Sequence, residues 1–271
     1  QKNQNKTNFT SVGLNEVWRY KMAEQQKFPS EIVDLPSKGK LYPKDSPLRS
    51  GKIELKYMTA REEDILTSQN LIKKGVVIDK LINALILTKG VNVDDLVLGD
   101  KNAIMVAARI LAYGPEYTTQ ITDPNTGEKF QHTFNLADCP FRPIPDDIDG
   151  NEFEMELPIS KAKVCYKMLT GKEEAEITKE LESLRKTGTQ VLPELTTRLR
   201  KAITSVDGET TPSKINNFVH NMLSRDSLFF RQEMLKTSPD IDLSHEIEMG
   251  GEMVKVDIPM TINFFWPNAE K

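Results

Sequence analysis

A chain of 271 residues, 38% hydrophobic and 28% charged, is long enough to bury a sizeable core as one large domain or two of ordinary size. Its net charge of -4 and pI near 5.6 give no general attraction to nucleic acid or anionic membrane, which points to protein partners. Two cysteines, Cys139 and Cys165, make no disulfide framework and suit a reducing compartment, and no apolar run approaches the roughly 18 residues of a membrane span.

Residues 1–30 are polar and hold no sustained period, the pattern of a flexible N-terminal arm in which Met22 is a candidate natural start. From Ile32 to Pro47, Pro36, Pro43 and Pro47 with Gly39 exclude a helix and favour a fixed loop. Ile53, Leu55 and Tyr57 then alternate with Glu54, Lys56 and Met58, which predicts a strand. Thr59 can cap a helix while Glu62 reaches back to the cap, and Lys73, Lys74 and Gly75 supply its stop, so one helix is expected from Thr59 to Lys74. Val77, Leu81, Ala84, Leu85 and Thr88 share a helical face. Asp100 opens a third helix running to Gly114, apolar on nearly all faces and therefore central to the core. Thr118 to Phe134 reads as a hairpin, with Phe130, His132 and Phe134 on one face and Asp123 to Gly127 as its turn.

Pro140, Pro143 and Pro145 lead into the acidic link Asp146 to Gly150, the expected domain boundary. It separates a first half over residues 31–145 from a second over 146–271. The second half starts with a strand from Phe153 to Leu157, paired with Val164 to Leu169, and Thr170 with Glu173 repeats the capping box. A helix from Lys172 to Lys186 carries Ile177, Leu181 and Leu184 and stops before Gly188. Leu199 to Val206 is expected as a strand turning at Asp207-Gly208, and Thr211 with Pro212 starts a helix bearing Ile215, Phe218, Val219 and Met222. Asp226 starts the last helix, a hairpin turns at Gly250-Gly251, and the chain closes on Phe264, Phe265, Trp266 and Pro267.

The order of elements returns. Lys56, Thr59, Glu62 and Glu63 align at one offset with Lys167, Thr170, Glu173 and Glu174, and Pro115 to Pro239 and Gly127 to Gly251 share a second spacing. The expected class is α+β, with two pseudo-repeated halves, each a strand followed by helices and a β-hairpin.

Chemistry-bearing motifs are missing. His132, His220 and His245 sit in separate elements, and Glu62, Glu63, Asp64, Glu173 and Glu174 are explained by their helix starts. No phosphate-cradling loop precedes a helix. The turns resemble zinc-ribbon knuckles in position, but Asp123 and Thr126 stand where thiolates would, so no catalytic residue, metal or cofactor is expected. A degenerate zinc-ribbon nucleic-acid binder remains the alternative from another class.

Four blocks, Leu35 to Pro43, Gly51 to Leu66, Gly99 to Tyr117 and Val256 to Pro259 with Phe264 to Pro267, resemble the baseplate hub subunit and hub assembly proteins of T-even-type contractile-tailed phages. The resemblance covers roughly residues 30–268. It implies a non-enzymatic, late viral protein made in the host cytoplasm and working by contact with other baseplate hub or wedge proteins, as a virion structural protein or as a transient assembly chaperone. No nucleic acid, membrane or small-molecule substrate is expected. Leu35, Pro36, Leu41, Tyr42 and Pro43 of the loop, with Phe264, Phe265, Trp266 and Pro267 of the tail, are the candidate partner-binding residues. Neighbours on a strand point to opposite faces, so Phe265 is expected to face outward.

Overall fold

Antiparallel pairing and helical periods sort the described residues of the computed structural model, 29–123, 126–249, 252–260 and 262–265, into eleven strands and eight helices. The strands form four two-stranded sheets and one of three strands, an α+β fold in which no large sheet dominates. The arm expected over residues 1–30 falls, up to residue 28, outside the described residues, and so does Met22.

β1 (Ser30–Asp34) pairs with β2 (Lys52–Lys56), with Val33 opposite Ile53. Ile53 and Leu55 are buried while Lys52 and Glu54 are exposed, the alternation of a strand with one wet face. The chain enters α1 (Ala60–Thr67) through Thr59, whose backbone N–H and hydroxyl donate to Glu62 Oε2 at 3.0 and 2.7 Å. Lys56 holds the other oxygen of Glu62 at 2.8 Å.

The single helix expected to reach Lys74 is two. Ser68 is extended, with ψ 102°, and separates α1 from α2 (Gln69–Lys73). Thr67 donates its hydroxyl to the Asp64 carbonyl and the Ser68 carbonyl starts the next turn, the local competition with helix continuation that hydroxyl side chains bring. Gly75 then stops the helix at φ +67°, a conformation that favours glycine.

α3 (Val77–Leu85) buries Val77, Leu81, Ile82 and Leu85. α4 (Leu98–Tyr113) begins two residues before Asp100, so Asp100 lies in the first turn and its carboxylate turns away from its own helix. At the other end Arg109, 2% exposed, donates to the carbonyls of Gly114 and Glu116 at 3.0 and 3.2 Å and lies over the rings of Tyr113 and Tyr117. It ties the end of α4 to β3 (Glu116–Thr122), which pairs with β4 (Lys129–Asn135) as expected.

After β5 (Phe141–Arg142), β6 (Phe153–Glu156) and β7 (Lys163–Tyr166) form an antiparallel pair. Thr170 opens α5 (Gly171–Lys186): its N–H donates to Glu173 Oε2 at 2.8 Å, its hydroxyl bonds the same oxygen, and Lys167 reaches Glu173 at 2.6 Å. The local geometry of the first box therefore recurs group for group.

The expected strand from Leu199 to Val206 is corrected. Leu195, Leu199 and Ala202 have helical spacing, and α6 (Glu194–Ala202) takes them, leaving only β8 (Ile203–Val206) on the free edge of β7. Its turn is as expected, with Asp207 at φ +50° and Gly208 at φ +81°. α7 (Pro212–His220) follows Thr211, and α8 (Ser224–Thr237) starts two residues before Asp226. β9 (Asp240–Ile241) pairs with β5, and β10 (Ser244–Met249) with β11 (Glu252–Asp257).

Two core clusters flank α4. One gathers Leu35, Leu41, Tyr42, Ile53 and Leu55 with Val164, Tyr166 and Phe230. The other packs Leu81 and Leu85 against both hairpins through Tyr117, Phe134, Ile247, Val256, Phe264 and Phe265. Each draws residues from both sides of the acidic link, and Gly99 shows how closely these meet: a β-carbon there would lie 1.8 Å from the Pro239 carbonyl oxygen.

Candidate partner interface

The proline-rich loop is fixed by buried polar bonds. Asp100, fully buried, accepts the Ser37 N–H at 2.9 Å and hydroxyl at 2.6 Å, and the Tyr42 hydroxyl at 2.6 Å. The Tyr42 oxygen in turn accepts the Val97 N–H at 3.1 Å, and Arg49 donates to the carbonyls of Lys40 and Tyr42. Burial pushes the Asp100 carboxyl above its ordinary range, against the pull of Ser37 and Tyr42. Burial and the Asp100 charge together push the Tyr42 phenol well above its own. Gly39, at φ +77°, lets the loop pass where a β-carbon would meet the Arg49 carbonyl at 2.4 Å.

Of the nine candidate residues, Leu35, Pro36, Leu41 and Tyr42 are thus buried in the core and Pro43 is exposed. Phe264 and Phe265 are 0% and 1% exposed, so the expectation that Phe265 faces outward does not hold. Residues Ile262–Phe265 form a 3-10 turn instead of a strand, and the alternation rule on which that expectation rested does not apply. The Phe264 ring meets Tyr117 edge-on at 5.0 Å and Phe265 at 5.2 Å. Trp266 and Pro267 lie outside the described residues.

Exposed leucines lie on three of the helices. Leu98 at the start of α4, Leu195 on α6, and Leu228 and Leu235 on α8 are 46%, 43%, 48% and 57% exposed. Leu98 and Leu195 line a groove of about 210 Å³ whose walls include Leu199, Phe230, Arg231 and Met234. Glu174 and Arg198, also in its lining, pair with each other at 2.5 Å. Sequence reasoning missed this surface because each leucine belongs to a helix whose other face is core. The only signal was that Leu228 and Leu235 fall a heptad apart, off the Phe230 and Met234 face of α8.

A family model described as T4 bacteriophage base plate protein matches residues 29–266. The chain belongs to that family. No curated protein and no solved structure matches it.

The histidines and cysteines of this baseplate protein lie in separate segments of the chain. His132 and His245 flank Phe134 edge-on, at 4.6 and 5.3 Å between ring centres, and His220 is exposed. In the first hairpin turn the Thr126 hydroxyl donates to the Asp123 carboxylate at 2.9 Å, so these side chains bond to each other where a zinc ribbon would present ligands. The second turn, Gly250-Gly251, lies outside the described residues. Burial, with Asp138 and Asp242 nearby, pushes the Cys139 thiol up to about 11, which disfavours the thiolate a metal requires. Among the described residues no group of three or more His, Cys, Asp or Glu is placed to hold a metal ion, and no helix is long and apolar enough to cross a membrane.

Proposed function

We propose that the protein is a non-enzymatic structural or assembly component of the baseplate hub, acting through contacts with other hub or wedge proteins. The family match over residues 29–266 carries this reading, because it spans both core clusters and both hairpins. Two further features support it. Exposed apolar side chains around a groove are features of protein contact sites, and the net charge of -4 offers nucleic acid no basic field. Assembly takes place in the host cytoplasm and the product is the virion tail baseplate.

Quantitative mass spectrometry of purified particles and of assembly intermediates tests the reading. A resident component is present in both at constant ratio to other baseplate proteins, whereas a transient chaperone is present in intermediates alone. Absence from both would contradict the proposal.

A further inference from the structure

α8 carries apolar side chains on two sides. Its inner face holds Asp226, Ser227 and Phe230, and the Asp226 carboxylate accepts the N–H groups of Ile159 and Ser160 at 2.8 and 3.0 Å. Its outer face carries Leu228, Arg231 and Leu235 at positions i, i+3 and i+7, a strip about 10 Å long at 1.5 Å per residue. Arg231 of this strip also lines the groove, together with the part-exposed Leu98 and Leu195. A space of about 150 Å³ accommodates a benzene ring, so the 210 Å³ here admits one large apolar side chain.

Several cations of α6 and α8 are paired within the chain: Arg198 with Glu174, Arg200 with Glu180, Lys201 with Glu176 and Lys236 with Glu233, all at 2.5 to 2.6 Å. Arg225, in the first turn of α8, is exposed and forms no ion pair among the described residues. Arg231 is exposed at the groove, its Nε donates only to the Ser227 carbonyl, and it forms no ion pair among the described residues. An occupant that covers Leu228 and Leu235 would take Arg231 out of water, and a buried arginine is tolerated when a carboxylate meets it.

We infer that this face docks a helix of a partner protein, presenting apolar side chains at heptad spacing with a carboxylate set between them to meet Arg231. The inference rests on the protein-contact reading above and adds to it the chemistry of the partner and the residue that selects it. An uncharged apolar helix would strand the guanidinium, and a basic one would be repelled.

The test uses the full chain and a set of fluorescein-labelled synthetic helical peptides with leucine at both apolar heptad positions. A single glutamate is scanned through the intervening positions, and a matched set carries lysine instead. Fluorescence anisotropy is expected to show the best glutamate peptide binding at least tenfold tighter than its lysine counterpart. Arg231→Glu should reverse that preference and Leu235→Ser should abolish binding, with melting curves unchanged because both side chains are exposed. Failure of every peptide to bind, or a preference that ignores Arg231→Glu, would overturn the inference. So would a dimer in sedimentation that Leu235→Ser dissolves, which assigns the face to a second copy, or displacement of the glutamate peptide by a synthetic peptide of residues 1–28. If the peptides fail while the chain still enters baseplates, the inference falls alone. If they bind while the chain never accompanies baseplate proteins, the hub reading falls instead.

Discussion

Tyr42 gives its phenolic hydrogen to Asp100 across 2.6 Å, and the same oxygen receives the Val97 N–H, so one hydroxyl joins the proline-rich loop to α4 twice. Tyr42→Phe keeps the ring and removes both bonds. It leaves the buried Val97 N–H without that acceptor and Asp100 Oδ2 with the Ser37 hydroxyl alone, and one unsatisfied buried group costs about 1–3 kcal/mol. Urea unfolding should show a loss in that range. A change under about 0.5 kcal/mol would mean that water replaces the hydroxyl and that the loop is not anchored there.

The two capping boxes make a pH-dependent contribution. Burial raises the carboxyls of Glu62 and Glu173, but donors from Lys56 and Thr59, and from Lys167 and Thr170, outweigh it and hold both below the ordinary range. A depressed carboxyl stabilises the fold above its ordinary pKa, near 4.3, and that stabilisation disappears as pH falls through the lower folded value. Asp100, raised by burial, has the opposite sign and costs stability as pH rises through its folded value. Between pH 6 and pH 3, Glu62→Gln with Glu173→Gln should therefore flatten the fall in unfolding free energy. An unchanged slope would remove the boxes from the pH dependence.

Thr59→Ala and Thr170→Ala should each cost about 1 kcal/mol, the usual worth of a helix cap. The boxes share no hydrogen-bond partner, so the double variant should be additive within about 0.5 kcal/mol. Denaturant titration of the three proteins checks both statements.

These boxes were legible in the sequence because cap, carboxylate and lysine lie within seven residues of one another. The stops at Gly75, Gly188 and Asp207-Gly208 were equally local. Ser68 was not, since a serine inside a helical pattern carries no mark of whether it continues or breaks the turn. Asp100 and Asp226 were read as helix starts, yet each holds a distant strand-to-strand loop, at Ser37 and at Ser160. A carboxylate in a first turn suits either role, and only the fold brings the serines near. The strand expected from Leu199 to Val206 failed over Leu199 to Ala202 and held over Ile203 to Val206, because polar alternation over a few residues fits a helix edge as well as a strand. The aromatic tail misled for a similar reason: Phe264 and Phe265 are both buried once the backbone leaves the strand conformation.

Phe265→Ala accordingly tests the tail as core. Removing a fully buried aromatic side chain costs about 3–5 kcal/mol, and the loss should appear in thermal and chemical unfolding alike. A loss under about 0.5 kcal/mol would return Phe265 to the surface.

Gly99→Ala tests the contact of α4 with the segment entering β9. The new β-carbon would overlap the Pro239 carbonyl, a backbone atom that cannot step aside as a flexible side chain would. Overpacking of this kind costs about 1–3 kcal/mol or more, although alanine is the better helix former by about 1 kcal/mol. Net destabilisation is expected; net stabilisation would show that α4 and Pro239 are not in contact.

Disruption of this gene in the phage that encodes it, followed by electron microscopy of infected-cell lysates, addresses the baseplate role most directly. Complete baseplates should be missing or sharply reduced, and should return when the intact chain is supplied in trans. Normal numbers of complete baseplates and infectious tails without the chain would contradict the account.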